Sequence, residues 1–243
     1  MSGHSKWHNI QARKGKQDAL RGNLFTKFAK GITIAAQKGG DPSMNFTLRL
    51  AIEKAKAIGM PKDNIERAVK RGTGELNDGV RMEEIMYEAF GPAGVAILIK
   101  VVTDNKNRTI SDLKHVLSVN GGNLGSAGSV MWMFQQWGLV IIMEEELKKL
   151  GGREEGELQL IELGAEDIQT GQEGELEIKV KVENLQKFLT ALKEKGIEPK
   201  ESGLKMLAKD LLKVDEATEK KLGNLFGALE ENDDVEDYFT NAS

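Results

Sequence analysis

From Leu24 onward the apolar positions recur at helical spacing. Leu24, Phe28, Ile32 and Ala36 fall every four residues and draw one apolar stripe, along a helix that Asn23 can cap and Gly39-Gly40 can end. Asp41-Pro42 makes a turn. A further helix from about Asn45 turns Leu48, Ile52, Ala55 and Ile58 inward and stops at Gly59. Pro61 suits the first turn of the next, which carries Ile65 and Val69 inward and closes at Gly72. Residues 1–22 are polar and weakly periodic, a flexible arm running into a short helix, and Thr73–Val80 is a linker.

Beyond the linker the period shortens to two and then gives way to solid apolar runs. Glu84–Phe90 and Val95–Val102 read as strands joined at Gly91-Pro92. A helix is expected from about Thr109, where Thr109 and Asp112 fit a capping box, with Ile110, Leu113 and Leu117 buried and Asn120-Gly121-Gly122 as its stop. Val130–Phe134 and Gly138–Met143 follow as separate strands. Then come a helix at Glu154–Leu163, a strand at Leu176–Val182, a helix at Leu185–Lys195, a weak strand at Pro199–Leu207, a helix at Glu216–Glu231 and a strand at Val235–Thr240.

The last pair constrains the topology. One helix and one strand cannot bury a core, while 81–134 reads strand–strand–helix–strand and lacks a second helix. The economical solution returns the C-terminal pair to the middle sheet. The expected division is a basic helical domain at 1–75, a discontinuous α/β domain at 80–135 plus 208–240, and an inserted α/β domain at 136–207.

Composition narrows the chemistry. The 243 residues contain no cysteine, which removes disulfides, thiolate metal sites and thiol nucleophiles. No apolar run is long enough to span a bilayer, and the N-terminus lacks the apolar core of a signal peptide, so a cytoplasmic protein without membrane contact is expected. The net charge of −4 hides a division: residues 1–75 hold 15 Lys+Arg against 6 Asp+Glu, a net of +9, and residues 76–243 carry −13. A chain divided in this way turns its basic part towards a polyanion.

The candidate phosphate ligands are Lys6, Arg13, Lys14, Lys16, Arg21, Lys27 and Lys30, then Lys54, Lys56, Lys70 and Arg71 on the later helices, where Arg49, Lys62 and Arg67 add to the basic set. Trp7 either stacks on a base or packs back on its own helices. Arg108 lies in Asp104-Asn105-Lys106-Asn107-Arg108-Thr109, which leads from a strand into a helix start where free N–H groups attract anions. The same Asp and Asn residues also make turns and caps without any ligand. The loop Gly121-Gly122-Asn123-Leu124-Gly125-Ser126-Ala127-Gly128 could likewise approach a backbone or phosphate, but its glycines lack the order of a dinucleotide or phosphate loop and fit better as a helix stop that turns into a strand. His4 and His8 have no third ligand nearby, and His115 falls on the polar side of its helix. No metal, no cofactor and no catalytic constellation is expected.

The opening Gly3-His4-Ser5-Lys6-Trp7, together with Arg13-Lys14, Phe25-Thr26-Lys27, Gly40-Asp41-Pro42, Tyr87-Glu88, Asp104–Thr109, Gly121–Gly125, Gly164-Ala165-Glu166-Asp167 and Asp233-Asp234-Val235, resembles the YebC/PmpR family over essentially the whole chain. His8 departs from a small residue common there, and Met131–Trp137 carries an unusual pair of tryptophans. The resemblance implies an α+β fold of three domains, a helical N-terminal domain and two ferredoxin-like α/β domains with the third inserted into the second. It also implies a regulator of gene expression. Members are described as probable transcriptional regulators, and a mitochondrial relative is a translational activator.

The expected function is therefore a non-enzymatic, monomeric nucleic-acid-binding regulator, a DNA-binding transcriptional regulator first. A ribosomal-RNA-associated translation factor is the alternative. A protein-interaction module, meeting the ribosome or other proteins through its acidic α/β domains, is the third.

Overall fold

Asn23 does not begin a helix. A computed structural model describes residues 17–76, 79, 81–171 and 174–243, and in it α1 (Gln17–Ala36) runs straight through Asn23. Good helix formers precede that position, and the Thr26 hydroxyl donates to the Gly22 carbonyl at 3.1 Å inside the helix. The predicted cap at Asn45 is present. Its side-chain oxygen accepts from the Leu48 N–H at 3.0 Å and begins α2 (Phe46–Ala57), while its amide nitrogen donates to the Ala35 and Gly39 carbonyls at 2.8 Å each. One side chain thus starts α2 and fastens it to the end of α1. Pro61 caps α3 (Lys62–Gly72).

Ile32, Leu48, Ala55, Ile65 and Ala68 make the core between these helices, with Phe25 and Phe28 packed against it. α1 and α3 approach at backbone distance. A Cβ on Gly72 would stand 2.3 Å from the Thr33 carbonyl oxygen and 2.6 Å from the Ala36 Cβ, so this crossing admits only glycine.

β1 (Glu83–Phe90) and β2 (Ala96–Thr103) form an antiparallel hairpin. α4 (Lys106–Val119) starts three residues before the predicted Thr109. Asn105 is its cap and accepts from the Arg108 N–H at 3.1 Å, whereas Thr109 is buried inside the first turn. The glycine loop then lays down β3 (Asn123–Leu124) beside β1. Gly122 lets it do so, because a Cβ there would meet the Phe90 carbonyl at 2.6 Å.

The two strands expected at Val130–Phe134 and Gly138–Met143 are replaced by a single-turn 3-10 helix, Met131–Met133, and one long strand, β4 (Phe134–Met143). Gly138 stays inside it because a Cβ there would press on Leu185 at 3.0 Å. α5 (Arg153–Leu163) leads to β5 (Ala165–Thr170), a strand whose polar sequence gave no periodic signal because it forms a half-exposed edge. Next come β6 (Glu175–Val180), α6 (Leu185–Glu194) and β7 (Glu201–Ala208). The second sheet has the order β5-β6-β4-β7, antiparallel throughout, threaded βαββαβ in the ferredoxin-like manner. The chain closes with α7 (Glu216–Glu231), capped by Asp215, and β8 (Val235–Thr240).

β8 pairs with β2, so the first sheet runs β3-β1-β2-β8. Its helices α4 and α7 pack together, and the Phe226 and Tyr238 rings stack at 4.6 Å between α7 and β8. Residues divide into two compact units, Met133–Leu212 with Asn241–Ser243, and 17–132 with Lys213–Thr240. Within the latter, α1 lies against β2 and β8, so the helical segment shares one body with the first sheet.

The Gly72 crossing gives a paired expectation. Gly72→Ala lowers stability by about 1–3 kcal/mol through overpacking. Gly223→Ala, in the interior of α7 with nothing within 4 Å of the added Cβ, is neutral or stabilising by up to about 1 kcal/mol. Urea unfolding of both variants checks the opposite signs.

Candidate nucleic-acid interface

The turn from α7 into β8 places Asp234 against two of the predicted basic residues, Lys30 and Arg108. Its backbone is held from both sides: its N–H donates to Asn232 Oδ1 at 2.9 Å, and its carbonyl accepts from the Val102 N–H at 2.8 Å. The carboxylate accepts from Lys30 Nζ at 2.7 Å, Thr109 Oγ1 at 2.7 Å, Thr103 Oγ1 at 3.3 Å and Arg108 Nη2 at 2.9 and 3.1 Å. Burial alone would raise its pKa. The donated bonds from Lys30, Thr109 and Arg108 outweigh burial and hold it at about 2.

Two predicted phosphate ligands are thereby committed inside the fold. Lys30 bonds Asp234 and, at 2.9 Å, the Asp233 carbonyl. Lys27 Nζ donates to the Glu230 carbonyl, and its burial lowers its pKa. Both lysines belong to the fastening of α1 onto the α7–β8 corner. Arg108 is different. Nη2 alone makes its bonds to Asp234, Asp104 and Thr103, Nε and Nη1 make none among the described residues, and the side chain is half exposed. Its outer edge remains open to an anion.

Lys56 and Lys70 are exposed, as are Lys62 and Arg67, while Lys54 and Arg71 are half-buried. Arg67 and Lys70 stand three residues apart on α3 and share its outer face. Lys62 pairs with Glu66 at 3.4 Å, and Arg49 folds back over the Phe46 ring. Lys6, Trp7, Arg13, Lys14 and Lys16, together with the side chain of Arg21, lie outside the described residues.

Two of the amides in this segment that could read base edges are already used. Gln37 donates to the Met82 carbonyl at 2.9 Å, and Asn45 caps α2 and ties it to α1. The glycine loop is likewise taken: the Gly121, Gly122 and Gly125 N–H groups donate to the Ser118, Leu117 and Glu88 carbonyls at 3.3, 2.8 and 2.7 Å. The buried carboxylate of Glu88 accepts the N–H of Gly128 at the end of the loop and those of Val130 and Met131 just beyond it, at 2.6, 2.6 and 2.8 Å, so those donors are closed to a phosphate by a negative charge already in place.

Between α2 and α3 lies a shallow cleft of about 310 Å³. Pro42, Ile52, Ile65 and Val69 give it an apolar floor, and Glu66, Lys70 and Glu75 stand around it. Gly40 lines one side, where a Cβ would strike the Thr73 methyl at 2.6 Å. No helix of the described residues is long and apolar enough to cross a membrane, and among them no group of three or more His, Asp or Glu is placed to hold a metal. His115 is exposed on α4.

Sequence reasoning missed Asp234 as an organising residue. In the chain it is one of two aspartates in an acidic turn, and only the strand pairing of β8 brings it to Lys30 and Arg108.

Comparison with known proteins matches residues 5–75 to the family model of the TACO1/YebC protein N-terminal domain and residues 82–242 to that of the TACO1/YebC second and third domain. A relative from Maridesulfovibrio salexigens, named "Probable transcriptional regulatory protein", is 47% identical over 100% of this chain and 95% of its own length. One from Persephonella marina with the same name is 45% identical over 99% and 95%. The crystal structure of a conserved hypothetical protein from Aquifex aeolicus superimposes with a TM-score of 0.86 at 39% identity, covering 98% of this chain and 97% of that one.

The carboxylate of Asp234 has a depressed folded pKa, so its stabilisation is fully present above the unfolded value near 3.8 and is lost as pH falls through about 2. That increment is about 2 kcal/mol between roughly pH 4 and pH 2. Asp234→Asn removes it and, by leaving Lys30 and Arg108 uncompensated, lowers stability at neutral pH by about 3 kcal/mol. Denaturant titrations of both proteins between pH 2 and 7 read the two effects.

Proposed function

Because the chain belongs to the TACO1/YebC family, we propose that it is a nucleic-acid-binding regulator of gene expression that holds the phosphate backbone with the exposed cations of its helical segment. The charge division carries this reading. The segment 1–75 has a net charge of +9 and keeps Lys56, Arg67 and Lys70 exposed, while the remainder carries −13 and repels a polyanion. The arm residues Lys6, Arg13, Lys14 and Lys16 add to the same end of the chain, and Arg108 offers one further open guanidinium edge. The names of the relatives support transcription; on that reading the polyanion is duplex DNA.

A second reading is favoured by the engagement of Gln37 and Asn45. With those amides tied to backbone, the described helices offer mainly lysine and arginine, which grip phosphates and discriminate poorly among base pairs. Such a surface suits structured RNA, including ribosomal RNA, as well as DNA. In both cases the protein acts by binding, and the acidic remainder of the chain is left to orient the complex or to meet proteins.

Fluorescence anisotropy with the full chain tests the reading. If about five phosphates are contacted, log K falls against log salt with a slope of roughly −3.5 to −4.5. Joint charge reversal at Lys56, Arg67 and Lys70 weakens binding at least about tenfold and flattens the slope by about 2 to 3. Preference for one duplex over unrelated duplexes stays below about 10³. Salt-insensitive binding, or a triple variant that binds like the parent, defeats the proposal.

A further inference from the structure

The cleft between α2 and α3 has a lining that simple phosphate gripping does not require. Ile52 and Val69 are only partly covered and Pro42 stands beside them, so an aliphatic floor meets solvent inside the basic segment. At about 310 Å³ the cleft lies at the small end of ligand sites, a size suited to one flat ring system and too small for a segment of helix. The groups around it are of two kinds. Lys70, with Arg67 one turn earlier on the same outer face, offers cations to a phosphate. Glu66 Oε1 pairs with Lys62 at 3.4 Å and Glu75 Oε1 accepts from Thr73 Oγ1 at 2.9 Å, which leaves the second oxygen of each, among the described residues, to accept from the amino and imino N–H groups on a base edge. An apolar floor for a ring face, acceptors for its edge and a cation for the attached phosphate are the three requirements of a nucleotide whose base has left the stack.

We propose that this cleft receives one unstacked base of a single-stranded or looped nucleic acid, with Lys70 on its phosphate. The proposal rests on the nucleic-acid reading above and sharpens it. A paired base is buried between its neighbours and cannot enter the cleft, so the preferred target presents unpaired nucleotides. The pocket favours them over a duplex of the same sequence by about tenfold, towards the lower end of what a base gains on an aromatic ring, because the floor here is aliphatic.

The test uses the full chain and four probes of one sequence: single-stranded RNA, single-stranded DNA, an RNA hairpin with the sequence in its loop, and duplex DNA. Each carries 2-aminopurine at one position. The expected result is tighter binding of the unpaired probes by about tenfold or more at equal salt, with 2-aminopurine emission changing on binding only where the base is unpaired. A preference of RNA over DNA among the unpaired probes identifies the sugar. Ile52→Trp, which fills the cleft, brings the unpaired probes down to the duplex affinity and leaves duplex binding unchanged. Should Ile52→Trp fail to fold by circular dichroism, Lys70→Ala and Glu75→Gln, both at exposed positions, read the same preference and reduce it severalfold.

Equal affinity for paired and unpaired probes with the steep salt slope intact overturns the base pocket while sparing the nucleic-acid reading. A preference for unpaired probes that survives every one of these substitutions also overturns it. Absence of salt-dependent binding to all four probes overturns both.

Discussion

A single buried carboxylate joins the first described helix of this chain to the turn before its last strand. Asp234 lies in the turn before the last strand, yet it accepts a bond from Lys30 on the first helix and others from Thr103 at the end of β2 and from Arg108 and Thr109 at the start of α4. An ion shielded from water to this degree is stable only when its oxygens are filled, and four side chains fill them. The position of α1 follows. Lys30 is pinned at Asp234, Lys27 at the Glu230 carbonyl, and Gly31 comes to a Cβ distance of 3.2 Å from Glu236 on β8. The α2 and α3 helices then take their places from α1, through Asn45 at its C-terminal end and through the close crossing at Gly72.

That architecture sorts cations which look equivalent in sequence. Lysines on the inner side of α1 meet carbonyls and a carboxylate of the first sheet's unit and act as fasteners. Those on the outer faces of α2 and α3 meet solvent. A lysine's role here depends on which side of its helix the sheet lies, and the periodic apolar stripe of α1 did not reveal that a sheet would lie there at all. The same sorting applies to anion-binding backbone. The glycine loop and the residues after it have free-looking N–H groups in sequence, but the Glu88 carboxylate from β1 fills those of Gly128, Val130 and Met131.

Elements with strong periodicity or unambiguous punctuation were legible. α7 and β8 occupy the predicted residues, Asn45 caps where its side chain suggested, and the return of the C-terminal pair to β2 followed from the need to bury one helix and one strand. The failures have local causes. Asn23 resembles a cap only if the preceding residues are not already helical. Thr109 fits a capping box, but Asn105 stands four residues earlier with the shorter reach to the Arg108 N–H. β5 is an edge strand with polar residues on both sides, and 135–137 fell between two expected strands, where pairing of Gln135, Gln136 and Trp137 with β7 makes them part of β4.

By itself the chain determined what depends on neighbours a few residues away and on totals: the α+β class, most element positions, the absence of cysteine chemistry, and a basic first third set against an acidic remainder. The tertiary structure decided whatever depends on residues far apart in sequence. It joined residue 30 to residue 234, withdrew Lys27 and Lys30 from the surface, left Arg67, Lys70 and one edge of Arg108 open, and shaped an apolar cleft from Pro42, Ile52, Ile65 and Val69. The physical reason is that charge and helical period are properties of composition and spacing, whereas burial and hydrogen-bond partnership exist only once distant segments have packed.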